Sequence, residues 1–572
     1  MASIQARTSR GKKYWSIVES RRINGQPRTV ILEYLGTATT LFERLQTGDS
    51  FALKSYSHGD TAALVNAAIE LDIISIINKH VPHGKDGNKP LRDGLTVGGS
   101  LLLAALGRAC HPTSKLGWYD WCQSTSLEYC LQGQFKNLDS QHFWDQMNAL
   151  PVEAIASIEN EILQKLIPLY GVELDCLFFD TTNFFTFIAT DNKRCDLPQR
   201  GKNKQHRYDL RQIGMALLVS RKEHFPLFRQ TYCGNKNDGV LFKEVFAALV
   251  SRLRVLSPEI SRVTLVFDKG NNSKANFKLI DAEEGLHYVG GLVSSYFKDL
   301  ILEANSKFEI TEIDGGPVPV YKIKREVWGK ERTCVVTISA QLLEGQIRGI
   351  HQNLEKKFTL LNKLKQQLEH PKSRSNYNEP TLTHKIKKII HGQFVDDILK
   401  FEMFILDTGK LSFSYRVDDD AFCKLKREIL GRKILVTNRH EWTSGEILAA
   451  YRGQANVEFA FRDVKNPHHL AIRPQFHWTD QKLEVHFFIC MIAYLLATCI
   501  FSKARTKAGY THNMNQFMED LRRVRLASVT TKSSNKIKYQ FEDIPKSLKA
   551  LLPVLGISQD NLRPKISFSD YT

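Results

Sequence analysis

The pattern of apolar and polar positions divides the chain into a mainly helical first part and an α/β second part. Residues 14–36 show two strand-like runs around the turn signal Asn24-Gly25, which predicts a β-hairpin. From Asp60 onwards apolar residues recur at helical spacing, and further helices are predicted over 95–109 and 152–167. We therefore expect a mostly helical region behind an N-terminal hairpin.

An α/β order begins at Leu174. The run LDCLFFD is nearly continuous in apolar residues, which is typical of a buried strand, and it ends in Asp180. Two more strands and a helix follow, and then a fourth strand, VTLVFD, ends in Asp268. Another helix and a fifth strand, HYVGGL, complete the series. Three strands, helix, strand, helix and strand is the order of a ribonuclease-H-like core, a mixed sheet flanked by helices.

A long interruption follows the fifth strand. Residues 295–432 alternate β-like pieces with a charged helix, and a gap of this length predicts an inserted, β-rich domain. A last strand and a helix over 444–465 then complete the core. The predicted domains, in chain order, are an N-terminal hairpin region (1–50), a helical DNA-binding or accessory region (51–170), the first part of the core (171–294), the insertion (295–432), the second part of the core (433–503) and a C-terminal basic region (504–572).

The charge balance indicates a polyanionic partner. The formal net charge is +18, from 79 Lys and Arg against 61 Asp and Glu. Lysine and arginine release condensed counterions when they bind nucleic acid, so a chain this basic suits DNA or RNA, although a merely basic soluble protein has the same balance. The chain contains no Gly-x-Ser-x-Gly elbow and no Walker loop, which argues against a hydrolase triad and an ATP-driven recombinase.

The cysteines and the longest apolar run point to a cytosolic protein outside the membrane. Ten cysteines are scattered without a C-x-x-C pair, so they form neither a zinc ribbon nor a disulfide framework. The run from Phe487 to Phe501 is shorter than the roughly 20 residues that a membrane span needs, and it predicts a buried helix. No N-terminal signal core is apparent. We expect reduced thiols and a cytoplasmic location.

Two aspartates at strand ends are the first candidates for chemistry. Asp180 and Asp268 each close an apolar strand, and carboxylates at strand ends can converge above the edge of a sheet, where α/β proteins commonly bind ligands. A strand-ending aspartate can also simply open a turn or cap a helix. The presence of both in this strand order favours a functional site.

The predicted 444–465 helix carries a polar stripe. At about 100° per residue, five polar side chains fall within an arc of roughly 80°. They are Tyr451, Gln454, Glu458, Arg462 and Lys465. A solvated helix face with an ion pair between Glu458 and Arg462 would explain part of this pattern. A solvated face rarely needs a tyrosine, however, so the stripe favours a site.

These residues resemble the DDE transposases of bacterial insertion sequences, in the insertion-sequence-four-like group with a Tyr-(2)-Arg-(3)-Glu-(6)-Lys signature. Tyr451, Glu458 and Lys465 match that signature in type and spacing, whereas Gln454 stands where the group has arginine. Further pieces similar to the family occur in order, in the sequences FFDTTNFF, GKNKQHRYDLRQIG, FPLFRQTYCGNKND, VFDKGNNSKANF and AIRPQFHWTDQKLEVHFFIC.

The resemblance implies a metal-dependent enzyme. It assigns Asp180, Asp268 and Glu458 as catalytic residues and as ligands of two Mg²⁺ or Mn²⁺ ions, which suits their hard oxygen donors. It also implies that Lys465, and with less support Tyr451 and Arg462, position the DNA backbone. The expected activity is cleavage and strand transfer at the ends of a mobile element, by a cut-and-paste route. The partners would be double-stranded DNA, both element ends and target, and further copies of the chain in a dimer or higher assembly.

Two rival functions remain open at this stage. One is a nuclease or resolvase on the same core, and the other is a DNA-binding regulator that has lost cutting activity. Two further candidates have alternatives as well. Trp328 could stack on an extruded base or pack in a β core, and the loop 201–207 could contact the DNA backbone or only solvent.

Overall fold

The computed structural model of the chain describes residues 2–23, 26–47, 51–83, 91–133, 135, 138–189, 191–236, 238–313, 316–370, 377–407, 409–472, 475–531 and 537–558. The predicted turn at Asn24-Gly25 lies outside these residues. The chain divides into two units. The first comprises Met1–Ala154, Pro467–Ala471 and Phe488–Thr572, and the second comprises Ile155–Asn466 and Ile472–Phe487.

The N-terminal part of the chain contains the predicted hairpin and helices. Its elements are β1 (Ala2–Ser9), β2 (Lys12–Ile23), β3 (Gln26–Thr37), α1 (Ala38–Thr47), β4 (Phe51–Ser57), α2 (Gly59–Glu70), α3 (Ile73–Lys79), β5 (Leu91–Arg92), β6 (Leu95–Thr96), α4 (Val97–Cys110), α5 (Trp118–Ser124), α6 (Leu127–Cys130), α7 (Ser140–Asn148) and α8 (Val152–Tyr170). Strands β1, β2 and β3 form an antiparallel meander. The hairpin and the helices predicted over 95–109 and over 152–167 are confirmed. The helical pattern that begins at Asp60 is divided between two helices, α2 and α3.

The middle of the chain begins with the predicted α/β series. Its elements are β7 (Cys176–Thr186), β8 (Arg211–Ser220), β9 (Pro226–Cys233), α9 (Asp238–Leu256), β10 (Thr264–Phe267), α10 (Lys274–Ala282), β11 (His287–Leu292), α11 (Lys298–Asn305), β12 (Glu309–Ile313), β13 (Gly316–Val327), β14 (Lys330–Ile338), α12 (Ala340–Glu369), α13 (Glu379–Ile390), α14 (Val395–Ile398), β15 (Leu399–Ile405), β16 (Leu411–Val417), α15 (Asp419–Glu428) and β17 (Arg432–Thr437). The predicted order of three strands, helix, strand, helix and strand is confirmed.

The remaining elements follow β17. They are α16 (Ser444–Arg452), α17 (Ala455–Val464), α18 (Asp480–Ala508), α19 (Met514–Arg522), β18 (Arg525–Thr531), β19 (Ile537–Phe541) and α20 (Leu551–Val554). The C-terminal region was predicted only as basic and mixed. In the structure β18 pairs with β4 near the other end of the sequence and with β19, so this tail is part of the first unit.

Among the described residues, nine strands form the sheet of the second unit, in the order β12-β13-β14-β17-β11-β10-β7-β8-β9. The β7–β8 and β8–β9 pairs are antiparallel, whereas β10 runs parallel to both β7 and β11. Strands β8 and β10 are buried almost throughout, which explains their continuous apolar sequences. Aromatic side chains from α9 and α10 cover one face, where Phe242 and Phe277 contact Phe267.

Residues 295–432 do not form the β-rich inserted domain that the sequence predicted. Strands β12, β13 and β14 extend the main sheet, and β17 returns beside β14 with Arg432 opposite Ile338. The backbone amide of Ser339 donates to the carbonyl of Gly431 at 2.8 Å, so the two ends of the inserted segment are hydrogen-bonded to each other. That segment is mainly helical, comprising α12 to α15 and the β15–β16 hairpin around a hydrophobic cluster of its own. Strand pairing at a sheet edge depends on distant residues, so local sequence could not assign β12 to β14 to the core.

The apolar run at 487–501 lies within α18. Among the described residues, this helix is long and apolar enough to cross a membrane by length and composition alone. Its most apolar window of 18 residues is nevertheless entirely buried within the fold. Burial on all sides is the environment of a core helix, in agreement with the predicted buried helix.

Candidate active site

Asp180 and Asp268 lie side by side where the pairing between two neighbouring strands ends. Asp180 does not close its strand as the sequence predicted, because β7 continues to Thr186 in its pairing with β8. Strands β7 and β10 are parallel, and their register pairs Phe179 with Phe267, the residues immediately before the two aspartates. Adjacent strands are about 4.8 Å apart, and alternation places the side chains of the two aspartates on the same face of the sheet. Both aspartates are half-buried. The sequence-based expectation that these two carboxylates are neighbours is met by the strand register.

Tyr451 connects the covering helix to this pair. Its hydroxyl donates a hydrogen bond to Oδ1 of Asp268 at 2.9 Å. Burial raises the pKa of the Tyr451 hydroxyl, and the charges of Asp268 and Asp180 raise it further, so the hydroxyl stays protonated and acts as a donor. A Cβ on Gly291 of β11 would lie only 2.8 Å from the tyrosine oxygen. The glycine therefore leaves the space through which Tyr451 reaches Asp268.

Replacement of Tyr451 by phenylalanine is expected to slow DNA cleavage about tenfold, equivalent to about 1.4 kcal/mol, because it removes one hydrogen bond that orients the Asp268 carboxylate. We also expect half-maximal cleavage to require a higher Mg²⁺ concentration, which a general loss of stability would not produce. The measurement is the cleavage rate as a function of Mg²⁺. Tyr321→Phe is the matched control, since its hydroxyl donates to Glu303 at 2.7 Å, away from these aspartates. Equal metal dependence in wild type and Tyr451→Phe would contradict this role.

The predicted helix over 444–465 is two helices with a break. α16 ends at Arg452 and α17 begins at Ala455, so Gly453 and Gln454 lie between them. At Gly453 a Cβ would lie 2.2 Å from Cζ of Phe178, which means that the backbone rests directly on the ring of a β7 residue. Gln454 is buried, and its Nε2 donates to the carbonyl oxygen of Phe179 at 3.0 Å. The contacts of Gly453 and Gln454 with β7 therefore determine where α16 ends and α17 begins.

Replacement of Gly453 by alanine is expected to destabilise the fold by about 1–3 kcal/mol and to lower the cleavage rate, because the added methyl group forces α17 away from β7. Chemical denaturation and a cleavage assay measure the two effects. Gly345→Ala in α12 is the control, since a Cβ there meets nothing within 4 Å and alanine favours a helix interior by about 0.5–1 kcal/mol. If Gly453→Ala stabilised the protein as Gly345→Ala does, the close contact would be refuted.

Glu458 lies on α17 and Lys465 directly follows this helix, which packs on β7 and β8. The Nζ of Lys465 contacts Oγ1 of Thr182, two residues beyond Asp180 on β7, and lies 5.1 Å from the centre of the Phe184 ring. Residues 178, 180, 182 and 184 share one face by alternation, so α17 covers the face that carries Asp180. Glu458 is exposed, between Gln454 and Lys465 along the helix.

The structure therefore assembles the predicted site in part. Asp180, Asp268 and Tyr451 come together, and Lys465 contacts the same strand. Within the described residues no three His, Cys, Asp or Glu side chains are grouped closely enough to hold one metal ion, so Glu458 does not complete a closed ligand set. Arg462 is exposed, and its guanidinium carbon lies 4.6 Å from the centre of the Phe459 ring.

Two residues near Asp268 had not been singled out from the sequence. Lys433 of β17 places its Nζ 4.9 Å from the Tyr451 ring centre. Burial lowers the pKa of Lys433, and the charge of Asp268 opposes that shift. Asn272 donates from Nδ2 to the carbonyl of Gly291 and so ties the loop after Asp268 to β11. The Asn272 position lies in the VFDKGNN piece, which could have signalled it, whereas Lys433 arrives through the sheet order alone.

The two lesser candidates have different outcomes. Trp328 occupies the turn between β13 and β14 and packs edge-on against Phe277, with ring centres 4.8 Å apart, which supports packing within an aromatic cluster. The loop 201–207 is braced by the buried side chain of Asn203, which accepts from the amide of Arg207 at 2.9 Å. Lys202 and Lys204 project from that loop into solvent.

The region that contains most of these residues matches a family model. The model of the transposase DDE domain matches residues 183–496, which is more than half of the chain. The chain belongs to the DDE transposase family. As a member, it is a DNA transposase, an enzyme that cleaves and transfers DNA strands. The matched region of the transposase contains Asp268, Glu458 and Lys465, and it begins three residues after Asp180, so Asp180 rests on its position in β7.

Comparison with solved structures gives a looser likeness. The transposase is similar to the protein in a cryo-EM structure of the piggyBac transposase synaptic complex with hairpin DNA, with 11% sequence identity and a TM-score of 0.38. The likeness covers 80% of this chain and 79% of that chain. At that TM-score the two folds correspond too loosely for residues or contacts to be transferred. No curated protein sequence matches the transposase significantly.

Proposed function

We propose that the transposase cuts and joins DNA at a divalent-metal site formed by Asp180, Asp268 and Glu458 on a ribonuclease-H-like core. The observation that carries this proposal is the adjacency of Asp180 and Asp268 immediately after the paired stretch of the parallel strands β7 and β10, with Tyr451 hydrogen-bonded to Asp268. The strand order β11-β10-β7-β8-β9, with three antiparallel strands followed by two parallel ones, supports the ribonuclease-H-like assignment.

The residues present suit Mg²⁺ or Mn²⁺. Asp180 and Asp268 supply hard oxygen donors side by side, and Glu458 is the candidate third ligand on the helix that covers β7. When bound, the ions would activate water or a 3′-hydroxyl and stabilise the leaving oxygen of the phosphodiester. Two neighbouring carboxylates repel each other, so a cation between them is also the natural partner for their charge.

The protein's own groups would orient this chemistry. Tyr451 holds one oxygen of Asp268, and Gln454 fixes the start of α17 to the β7 backbone immediately before Asp180. Gln454 therefore has a structural contact where the related signature has arginine. Lys465 and Arg462 are proposed to contact DNA phosphates, whereas the contact of Tyr451 with Asp268 supports a positioning role for that residue.

Finer assignments belong to the same proposal. The matching Tyr451, Glu458 and Lys465 support membership of the insertion-sequence-four-like group, with Gln454 as the departure from its signature. We further propose cut-and-paste transposition of a bacterial element, double-stranded element ends and target as substrates, and a dimer or higher assembly acting in the cytoplasm. The domain boundaries predicted from the sequence remain proposals, modified by the mainly helical segment between Ile338 and Arg432.

The proposal is tested with purified protein, Mg²⁺ and a duplex that carries the repeats flanking the gene. We expect cleaved ends and joined strand-transfer products, and neither after chelation of the metal. Cleavage without joined products would indicate a nuclease, and a stable complex without cleavage would indicate a DNA-binding regulator. Binding should also weaken steeply as salt rises, because phosphate contacts release counterions.

A further inference from the structure

Two exposed aromatic side chains, Phe187 and Phe476, form a surface that the proposed reaction does not use. We name this set the aromatic platform. Its members are 49% and 56% exposed. The rings of Phe187 and Phe476 lie with their centres 5.8 Å apart and their planes at 37°. Phe187 follows the last residue of β7 directly.

The two segments that carry the platform are held together by hydrogen bonds. The amide of Phe187 donates to the carbonyl of Gln475 at 3.0 Å. The side-chain amide of Asn192 donates to the carbonyl of Trp478 at 3.1 Å, and the amide of Asp196 donates to the Asp480 carboxylate at 2.9 Å. These hydrogen bonds hold the segment after β7 and the segment before α18 in a fixed position relative to each other. The rings of Phe187 and Phe476 nevertheless remain exposed.

The chain that follows Phe187 is basic and exposed. The segment from Phe187 to Arg211 contains seven lysines and arginines and three aspartates. Among them Lys193, Arg194 and Arg200 are exposed, as are the loop lysines described above. A second copy of the same basic surface would be repelled, whereas a nucleic-acid strand would be attracted. Charge thus favours a DNA strand over self-association as the occupant.

The strand that carries Asp180 also leads along the chain to the platform. Phe187 follows Asp180 by seven residues on or directly after β7, which corresponds to roughly 23 Å at about 3.3 Å per residue. That distance spans about seven nucleotides at about 3.4 Å each. The amide of Ile472 donates to the carbonyl of Val464 at 3.0 Å, so the segment that leads to Phe476 starts beside the end of α17.

We propose that the aromatic platform binds an unpaired DNA base about seven nucleotides from the phosphate at Asp180, by stacking on Phe187 and Phe476, while the neighbouring lysines and arginines hold the backbone. This inference rests on the proposed function, since it assumes that DNA lies at Asp180. Bases inside an intact duplex have no free face, so the platform discriminates DNA with a locally opened stretch from fully paired DNA.

The test compares two labelled duplexes of one sequence, fully paired or with an unpaired bubble of about six nucleotides, by fluorescence anisotropy. The double variant Phe187→Ala/Phe476→Ala is expected to bind the bubble duplex about tenfold more weakly than wild type, and the paired duplex less than about threefold more weakly. A 2-aminopurine in the bubble should be quenched by wild type and not by the double variant. Phe404→Ala, a substitution of a phenylalanine 41% exposed on β15, is the matched control and should change neither affinity.

Each remaining outcome has a distinct meaning. Unchanged bubble binding by the double variant, or an equal loss for both duplexes, would overturn the stacking proposal. A change of mass in sedimentation without loss of bubble preference would make the platform a self-association surface and would also overturn it. If wild type prefers the bubble through the platform but never cuts an end-bearing duplex, the proposed function fails and the platform stands. If wild type cuts the end-bearing duplex and the double variant binds the bubble duplex as wild type does, the proposed function stands and the stacking proposal fails.

Discussion

Substitution of Asp180 or Asp268 by asparagine is expected to reduce DNA cleavage and strand transfer at least about a thousandfold, which is equivalent to about 4 kcal/mol of transition-state stabilisation. Asparagine keeps the shape of the side chain but lacks the negative charge that holds a divalent cation. Glu458→Gln should have an effect of the same kind. Quantification of cleaved and joined products from an end-bearing duplex in Mg²⁺ measures the loss.

The control for this prediction lies close to the same strand. Asp175 precedes β7 and forms an exposed ion pair with Arg221 at 2.7 Å, so Asp175→Asn removes a charge five residues from Asp180 without touching the proposed site. We expect wild-type cleavage by this variant and DNA binding within about threefold of wild type for all the variants, because the phosphate contacts remain. Wild-type cleavage by both Asp180→Asn and Asp268→Asn would show that the proposed carboxylate site is wrong.

The second large effect concerns stability. Glu159 of α8 bridges two buried arginines, accepting from Nε of Arg229 at 2.7 Å and from an Nη of Arg252 at 2.9 Å. The arginine side chains are only 6% and 5% exposed. Glu159→Ala is expected to lower the free energy of unfolding by about 3–5 kcal/mol, because it leaves buried positive charge without its partner. Arg229 keeps a longer contact with Glu484 at 3.3 Å, which does not compensate Arg252.

Chemical denaturation measures this loss. Glu173→Ala is the matched control, because Glu173 pairs with Lys222 at 2.7 Å in an exposed position, where an ion pair contributes about 0–1 kcal/mol. Glu159→Gln separates charge from shape, since it keeps hydrogen-bonding atoms and removes the negative charge. A loss below about 1 kcal/mol for Glu159→Ala would mean that the buried arginines find other partners or water.

Much of the α/β series could be predicted from sequence because its signals are local. Strands β7 and β10 are short apolar runs, and their adjacency follows from the order of strands and helices once a mixed sheet is assumed. The pairing of Asp180 with Asp268 followed from that order. The family resemblance then supplied Glu458 and Lys465, and the family model confirmed the transposase assignment.

The errors concern interactions between distant residues. The 444–465 stretch has helical periodicity throughout, yet it breaks at Gly453 because the ring of Phe178 occupies the space beside that backbone. Strands β12 to β14 have ordinary strand sequences, and nothing local distinguishes an insertion from an extension of the main sheet. The pairing of β4 with β18 joins segments from opposite ends of the chain, which periodicity cannot reveal.

The sequence by itself determined the basic character of this protein, the order of its core elements, its family and the identity of the candidate carboxylates, because these depend on composition, periodicity and ordered motifs. Only the tertiary structure decided that Tyr451 binds Asp268, that Gln454 binds the β7 backbone, and that Phe187 and Phe476 meet on an exposed surface. Those contacts join residues between 183 and 289 positions apart, and side-chain packing across such separations is fixed only when the sheet and its covering helices come together.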